Sequence, residues 1–190
     1  MVHAPPVGPV QALIVVDVQR GLVAGPEAVP DAGGLVRRIS AAAARARRAG
    51  ALVVHLQNDG PPGAVDEPGG PGWELFLPEP GDAIVRKTED DGFRGTPLGE
   101  LLFTRGVWRL MITGVLSEMC VSATARGALD RGIGVVLPHD THGTHPLGEI
   151  SSEAVARVAE HALGDQVELV AAAEEVAFTG VRADGSPIRA

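Results

Sequence analysis

The sequence is poor in the features that mark disulfide-rich, membrane-spanning or nucleic-acid-binding proteins. Cys120 is the only cysteine among 190 residues, so no disulfide can form within the chain, as is typical of a protein from the reducing cytoplasm. The apolar runs are well below the roughly 18 residues that a membrane span requires, and the N-terminal segment has no basic region followed by an apolar block. A net charge of −8 disfavours nucleic-acid and anionic-membrane surfaces. We therefore expect a cytoplasmic protein that binds neither nucleic acid nor a membrane.

Lysine is almost absent as well. Of the 16 Lys and Arg residues, Lys87 is the only lysine. The abundance of Arg, Ala, Gly and Pro is typical of a GC-rich coding bias, which replaces Lys by Arg wherever positive charge alone is needed. Lys87 therefore either marks a position that requires a compact ammonium group with a tunable pKa or has survived by chance.

What is present predicts one globular domain over residues 1–190. Hydrophobic residues make up 45% and charged residues 21% of the chain, which is typical of a folded domain. Short apolar runs predict strands, and apolar residues at helical spacing predict helices between them. The predicted strands are 11–19, 51–57, 83–87, 107–115, 133–140 and 166–170, and the predicted helices are 31–50, 96–106, 117–132 and 148–165.

This alternation predicts an α/β fold of three layers, Rossmann-like, in which a six-stranded, mostly parallel sheet carries helices on both faces. The core spans about 11–170. Residues 58–82 are rich in Gly, Pro and acid and predict a long loop, either a lid or a binding loop. Residues 179–190 predict a loosely held tail.

Three chemically distinct side chains stand where ligands collect in such folds, beyond the carboxyl ends of the strands. Asp17 ends the first strand, Lys87 ends the third, and Cys120 follows the fourth at the start of a helix for which Ser117 is the predicted N-cap. A thiol attacks as its thiolate. The helix N-terminus and the Lys87 ammonium favour that anion, and Asp17 is positioned to accept the proton. Backbone N–H groups of Leu116 and Cys120 could stabilise the oxyanion of an acyl-transfer intermediate.

Each of these residues also has a plain structural interpretation. A single buried cysteine is more often a small core residue than a nucleophile, and an aspartate at a strand end often caps a turn. Leu22, Trp73 and Phe93 are candidate pocket walls, although Phe93 fits the core equally well, and Gln19 could orient Asp17 or the substrate. The histidine-rich stretch 139–145 matches no zinc spacing, and we expect it to be a solvated loop or a pocket wall.

The joint pattern resembles the isochorismatase-like cysteine hydrolases. The resemblance rests on "ALIVVDVQRG", "IVRKTEDDGFRGTPL" and "RLMITGVLSEMCVSATARGALDRGIGVVLPHD", and it covers residues 11 to 170. It implies an Asp17–Lys87–Cys120 catalytic triad. It also implies a cis peptide bond between Val115 and Leu116 that turns the Leu116 N–H into the oxyanion hole, and assembly into homodimers or larger homo-oligomers.

The departures from the family pattern narrow the activity. Nicotinamidases in this family hold a metal through an Asp and two His after the second strand, whereas here that region offers His55 and Asp59 but no second His. We therefore expect no metal and no other cofactor. The stretches "GVLSEMCVSATA" and "VVLPHDTHGTH" resemble the branch that contains streptothricin hydrolase, which opens a cyclic amide.

The prediction is thus a cysteine-dependent hydrolase of a small-molecule amide C–N bond, acting through a thioester. Two alternatives are isochorismatase-type hydrolysis of a vinyl ether, led by Asp17 with Cys120 as a bystander, and a non-catalytic binding member of the fold.

Overall fold

The sheet has the parallel architecture that the sequence predicts. The structure is a computed structural model that describes residues 8–181; residues 182–190, which form most of the predicted tail, lie outside the described part of the chain. The strands are β1 (Ala12–Val16), β2 (Leu52–Asn58), β3 (Ala83–Lys87), β4 (Arg109–Val115), β5 (Gly134–Pro138), β6 (His142–Gly143) and β7 (Val167–Val170). Their order is β3-β2-β1-β4-β5-β7, with β6 paired to β4, and every strand pair is parallel.

Helices cover both faces of this sheet. They are α1 (Arg20–Val23), α2 (Ala32–Arg48), α3 (Leu98–Thr104), α4 (Ser122–Leu129) and α5 (Ser152–Leu163). One apolar core contains α2 side chains and the other contains side chains of α3, α4 and α5. Because β1 lies between these two cores, all five of its residues are buried, which explains its continuous apolar sequence. In the described part of the chain, no helix is both long and apolar enough to cross a membrane.

The strand order reverses between β1 and β4, and the strands approach each other closely there. Gly114 pairs with Val16 and has a φ of 120°. A Cβ atom at position 114 would lie 2.0 Å from the Val16 carbonyl oxygen. Only glycine fits this position, which lies directly before the segment that carries Cys120.

The segment after β4 differs from the predicted helix 117–132. A wide π-type turn spans Ser117–Val121, and the regular helix α4 begins only at Ser122. Leu116 is the capping residue of the turn, and its carbonyl accepts hydrogen bonds from the N–H groups of both Met119 and Val121, each at 3.2 Å. The prediction that Ser117 is the N-cap was wrong, because its hydroxyl bonds to His142 instead.

The long loop between β2 and β3 is fixed to the rest of the fold. Backbone hydrogen bonds join Gly72 to Gly21, Glu74 to Arg20 and Phe76 to Val18. The Trp73 carbonyl accepts from the side-chain amides of Gln19 and Gln57 at 2.9 and 3.0 Å. These contacts favour a fixed wall over a lid.

Candidate active site

The three predicted residues meet at the carboxyl ends of β1, β3 and β4. The Lys87 Nζ lies 2.8 Å from Asp17 Oδ2 and 3.4 Å from Cys120 Sγ. Lys87 and Asp17 are almost fully buried, whereas Cys120 is partly exposed. The only lysine of the chain thus touches both the acid and the thiol. This position favours a required ammonium group over survival of the lysine by chance.

Burial makes Asp17 a weaker acid than an exposed aspartate. Burial raises its pKa to about 6, although the ion pair with Lys87 and the contact with the Cys120 thiol oppose this. Its Oδ1 is buried and has no hydrogen-bond partner within residues 8–181. A carboxylate with a pKa near the working range and one free oxygen is suited to accept and return a proton.

The Cys120 thiol is not activated in advance. Burial and the Asp17 carboxylate raise its pKa above the ordinary value, and Lys87 only partly offsets them. Lys87 favours the thiolate as expected, but burial and the Asp17 carboxylate act in the opposite direction and outweigh it. Lys87 itself stays cationic, because Asp17 and Cys120 outweigh the effect of its burial and raise its pKa.

Asn58, at the end of β2, is a site residue that the sequence did not single out. Its Oδ1 accepts from Lys87 Nζ at 3.2 Å, and its Nδ2 donates to Asp66 Oδ2 at 2.6 Å. Asn58 thus provides the third polar contact of the Lys87 ammonium, beside Asp17 and Cys120. The signal in the sequence is its position, because Asn58 pairs with Lys87 at the end of adjacent strands.

Gln19 acts on the loop. Its Nε2 donates to the carbonyls of Asn58 and Trp73 at 3.0 and 2.9 Å, and its Oε1 accepts from the Asn58 N–H at 2.9 Å. The side chain is fully buried. Gln19 thus positions Asn58 and Trp73, and its predicted role in orienting Asp17 or the substrate stays a prediction.

The three candidate pocket walls occupy different places. Phe93 is buried in the core on the α4 side, with the Arg131 guanidinium 4.6 Å from its ring centroid, so the core interpretation holds. Leu22 packs against the core on the α2 side. Trp73 is partly buried, and its Nε1 donates to Asp59 Oδ1 at 2.8 Å.

Two clefts border the triad. A charged cleft of about 300 Å³ contains Lys87, Arg86 and Arg94. A largely apolar groove of about 520 Å³ contains Asp90 and Met119. Asp90, which no pattern in the sequence singles out, accepts a long hydrogen bond of 3.5 Å from the Cys120 thiol.

The residues considered for a family metal are engaged in other contacts. His55 Nε2 lies 3.0 Å from Asp82 Oδ2, and burial lowers the pKa of His55 although Asp82 opposes this. The Asp59 carboxylate pairs with Arg86 at 2.7 Å and bonds to the Trp73 indole. The Nε2 atom of His55 and the carboxylate of Asp59 are thus each matched with a partner on this chain.

Of the two expectations for the histidine-rich stretch, a solvated loop or a pocket wall, the solvated loop was wrong for His139 and His142. His142 is buried and His139 is half-buried, and both converge on Glu160 of α5. His142 also contacts Ser117 at 2.8 Å, so it links this cluster to the π-type turn. Burial opposes ionisation of Glu160, but the hydrogen bonds from His142 and His139 prevail and lower its pKa to about 2.

The peptide bond between Val115 and Leu116 is cis, as predicted.

The model of the isochorismatase domain matches residues 11–171. The chain belongs to the isochorismatase family. A streptothricin hydrolase of Streptomyces noursei is 59% identical over 185 residues, covering 92% of this chain and 73% of that protein. A second one from the same organism is 59% identical, with 89% and 65% covered.

More distant relatives agree with this assignment. A ureidoacrylate amidohydrolase of Methylorubrum extorquens is 32% identical over 175 residues, covering 70% of each chain. The crystal structure of an isochorismatase from Pseudomonas putida KT2440 superposes with a TM-score of 0.83 at 24% identity, covering 91% of this chain and 94% of that one; it confirms the fold. The chain lies in the streptothricin hydrolase branch, and the predicted enzyme class, an amide-bond hydrolase of the isochorismatase family, is confirmed.

Proposed function

We propose that this chain hydrolyses the C–N bond of a small cyclic amide of the streptothricin lactam type, through a thioester on Cys120. The observation that carries the proposal is the position of Lys87 Nζ, 2.8 Å from Asp17 and 3.4 Å from Cys120. The identity to streptothricin hydrolases supports the choice of a cyclic substrate.

The first half-reaction begins with the thiol protonated and Asp17 ionised. As Cys120 Sγ bonds to the amide carbon, the thiol proton passes to Asp17, so that the thiolate forms only during attack. The oxyanion is stabilised by the Leu116 and Cys120 N–H groups. When the C–N bond breaks, the leaving nitrogen takes the proton from Asp17, and the thioester remains.

The second half-reaction uses the same groups in reverse order. Asp17 takes a proton from water, whose oxygen attacks the thioester carbon. The C–S bond then breaks, and Cys120 recovers the proton. Water is the only co-reactant that this balance of atoms requires. Lys87 remains a cation throughout, so it stabilises whichever of Asp17 and Cys120 carries the negative charge.

The test compares the wild type with Cys120→Ala and Cys120→Ser on an intact streptothricin lactam, a ureido amide and a linear amide. We expect ring opening with the gain of one water, an acyl adduct on Cys120 in rapidly quenched samples, and no turnover by Cys120→Ala. Thermal unfolding of each variant checks that it folds.

The results separate the substrate from the mechanism. If Cys120→Ala keeps full activity, the thioester is refuted. If only the linear or the ureido amide reacts, the cyclic substrate is wrong but the cysteine chemistry stands. If pyruvate appears from isochorismate without need of Cys120, ether hydrolysis replaces the proposal.

We also propose a cytoplasmic enzyme that assembles as a homodimer or larger homo-oligomer and has no nucleic-acid or membrane partner. The lone thiol supports the compartment. Exposed apolar side chains beside the groove at Asp90 support the assembly, namely Met119, Leu147, Ile150 and Val158. Val158→Glu should lower the mass measured by sedimentation; an unchanged oligomer would place the interface elsewhere.

A further inference from the structure

Two histidines and a glutamate form a cluster that the proposed amide hydrolysis does not use. His139 Nδ1 lies 2.6 Å and His142 Nε2 lies 2.9 Å from the same atom, Glu160 Oε1. The three potential ligand atoms all lie within 4.8 Å of one another. We propose that His139, His142 and Glu160 form a binding site for a divalent transition metal of the zinc class, separate from the amide-hydrolysing centre.

The ligand set suits such an ion. Neutral imidazole nitrogens and one carboxylate oxygen are ligands that zinc accepts in a tetrahedral site, with the fourth position left for water. Zinc bonds of about 2.0–2.1 Å place neighbouring ligand atoms about 3.3 Å apart. Glu160 Oε1 and each ring nitrogen, now 2.6 and 2.9 Å apart, would need to separate by about half an ångström. The two ring nitrogens, which lie within 4.8 Å of each other, would need to come to the same spacing of about 3.3 Å.

The three residues stand on ordered elements. His139 opens a 3-10 turn directly after β5, and His142 lies in β6, which pairs with β4. Glu160 lies on the buried face of α5. A partly exposed His139 gives an ion access from solvent.

The neighbours of the cluster resemble the supporting groups of a metal site. The other ring nitrogen of His142, Nδ1, lies 2.8 Å from the buried Ser117 hydroxyl. Metal-bound histidines commonly donate their second N–H to such a partner, which fixes the tautomer and the ring orientation. Arg157 contacts the other carboxylate oxygen, Oε2, at 3.3 Å, so it orients the glutamate while Oε1 remains available.

A bound ion would join three parts of the fold. It would link the end of β5, strand β6 and helix α5, and it would reach the π-type turn through His142 and Ser117. The site is thus a clamp that steadies the turn carrying Cys120.

The test uses the full chain after treatment with a chelator. Zinc is titrated by calorimetry and cobalt by visible absorption, with His139→Ala as the main variant because His139 is half-buried and tolerates replacement. His161→Ala, an exposed histidine next to Glu160, is the matched control. Cys120→Ala separates this site from metal binding by the thiol.

We expect one zinc per chain in the wild type, His161→Ala and Cys120→Ala, a tetrahedral cobalt spectrum, and at least 100-fold weaker binding in His139→Ala. Zinc at about 100 times its Kd should raise Tm by roughly 5–10 °C. The proposal is overturned if no zinc binds, if Cys120→Ala abolishes binding, or if His139→Ala binds zinc as the wild type does.

Discussion

Replacing Asp17 by Asn should separate the reactivity of the thiol from catalysis. Asp17 has a φ of 50°, and asparagine accepts this left-handed conformation as readily as aspartate, so the backbone can stay unchanged. The substitution removes the negative charge that helps to raise the pKa of Cys120 and leaves Lys87 free to pair with the thiolate. The thiol should therefore react faster while turnover is lost.

The two effects have different magnitudes. A charge in contact typically shifts a pKa by about 1–3 units. Each unit gives tenfold more thiolate but lowers its nucleophilicity by about threefold, so we expect reaction with a disulfide reagent to accelerate by about 3- to 50-fold. Loss of the proton acceptor should reduce kcat/KM by about 10²- to 10⁴-fold.

The assay follows reaction with dithiodipyridine at neutral pH beside amide hydrolysis by the same preparation. Asp90→Asn is the matched control, because it removes an exposed acid near Sγ and should change both rates much less. If the Asp17→Asn thiol reacts more slowly than that of the wild type, then Asp17 generates the thiolate in the free enzyme, and the assignment of a protonated resting thiol is refuted.

Three further predictions test the surroundings of the triad. Activity requires ionised Asp17, so kcat/KM should fall as the pH drops below about 6, and Lys87→Met should move this limb upward by about 1–3 pH units because the stabilising cation is lost. Gln19→Leu leaves buried backbone groups unpaired and should lower the free energy of unfolding by about 2–4 kcal/mol, measured with urea, while KM stays nearly constant in a folded sample. Gly114→Ala should cost more than about 4 kcal/mol or prevent folding, since its Cβ would lie 2.0 Å from a carbonyl oxygen.

Matched substitutions control these results. Arg86→Met removes an exposed neighbouring cation and should leave the acid limb in place; an equal shift would show that general charge, rather than the contact with Asp17, sets it. At Gly33 in α2, an added Cβ would meet only the flexible end of the Arg37 side chain, at 3.6 Å, so Gly33→Ala should be neutral or slightly stabilising. A large rise in KM for Gln19→Leu would return Gln19 to the substrate pocket.

The sequence predicted those residues of the site whose positions depend only on where the strands end. Parallel strands deliver their carboxyl ends to one edge, so Asp17, Lys87 and Cys120 had to meet once β1, β3 and β4 were recognised. What the sequence could not predict depends on contacts between distant segments, such as the hydrogen bonds from Gln19 to the carbonyls of Asn58 and Trp73. The π-type turn at 117–121 could not be predicted either, because the composition of this segment suits an ordinary α-helix.

The histidine cluster was missed for a different reason. The stretch 139–145 does not contain the residue that its histidines contact, because that residue lies on α5. There Glu160 stands on the apolar face with Ala156, Ala159 and Leu163, all of which are buried. A charged residue at an inward position of an amphipathic helix needs a buried partner, so this glutamate was the signal that the histidines fold inward.

The anchored loop at 58–82 has a consequence for how this enzyme could acquire new substrates. Because Gln19 and Gln57 tie the Trp73 carbonyl to the end of the sheet, changes in that loop would disturb the Lys87 environment through Asn58. The opposite rim, which includes the exposed Glu89 and Arg94, makes no hydrogen bond to Asn58 or Lys87 in the described part of the chain. Libraries that vary this second rim should yield altered selectivity with intact chemistry, whereas libraries in the anchored loop should mostly yield inactive protein.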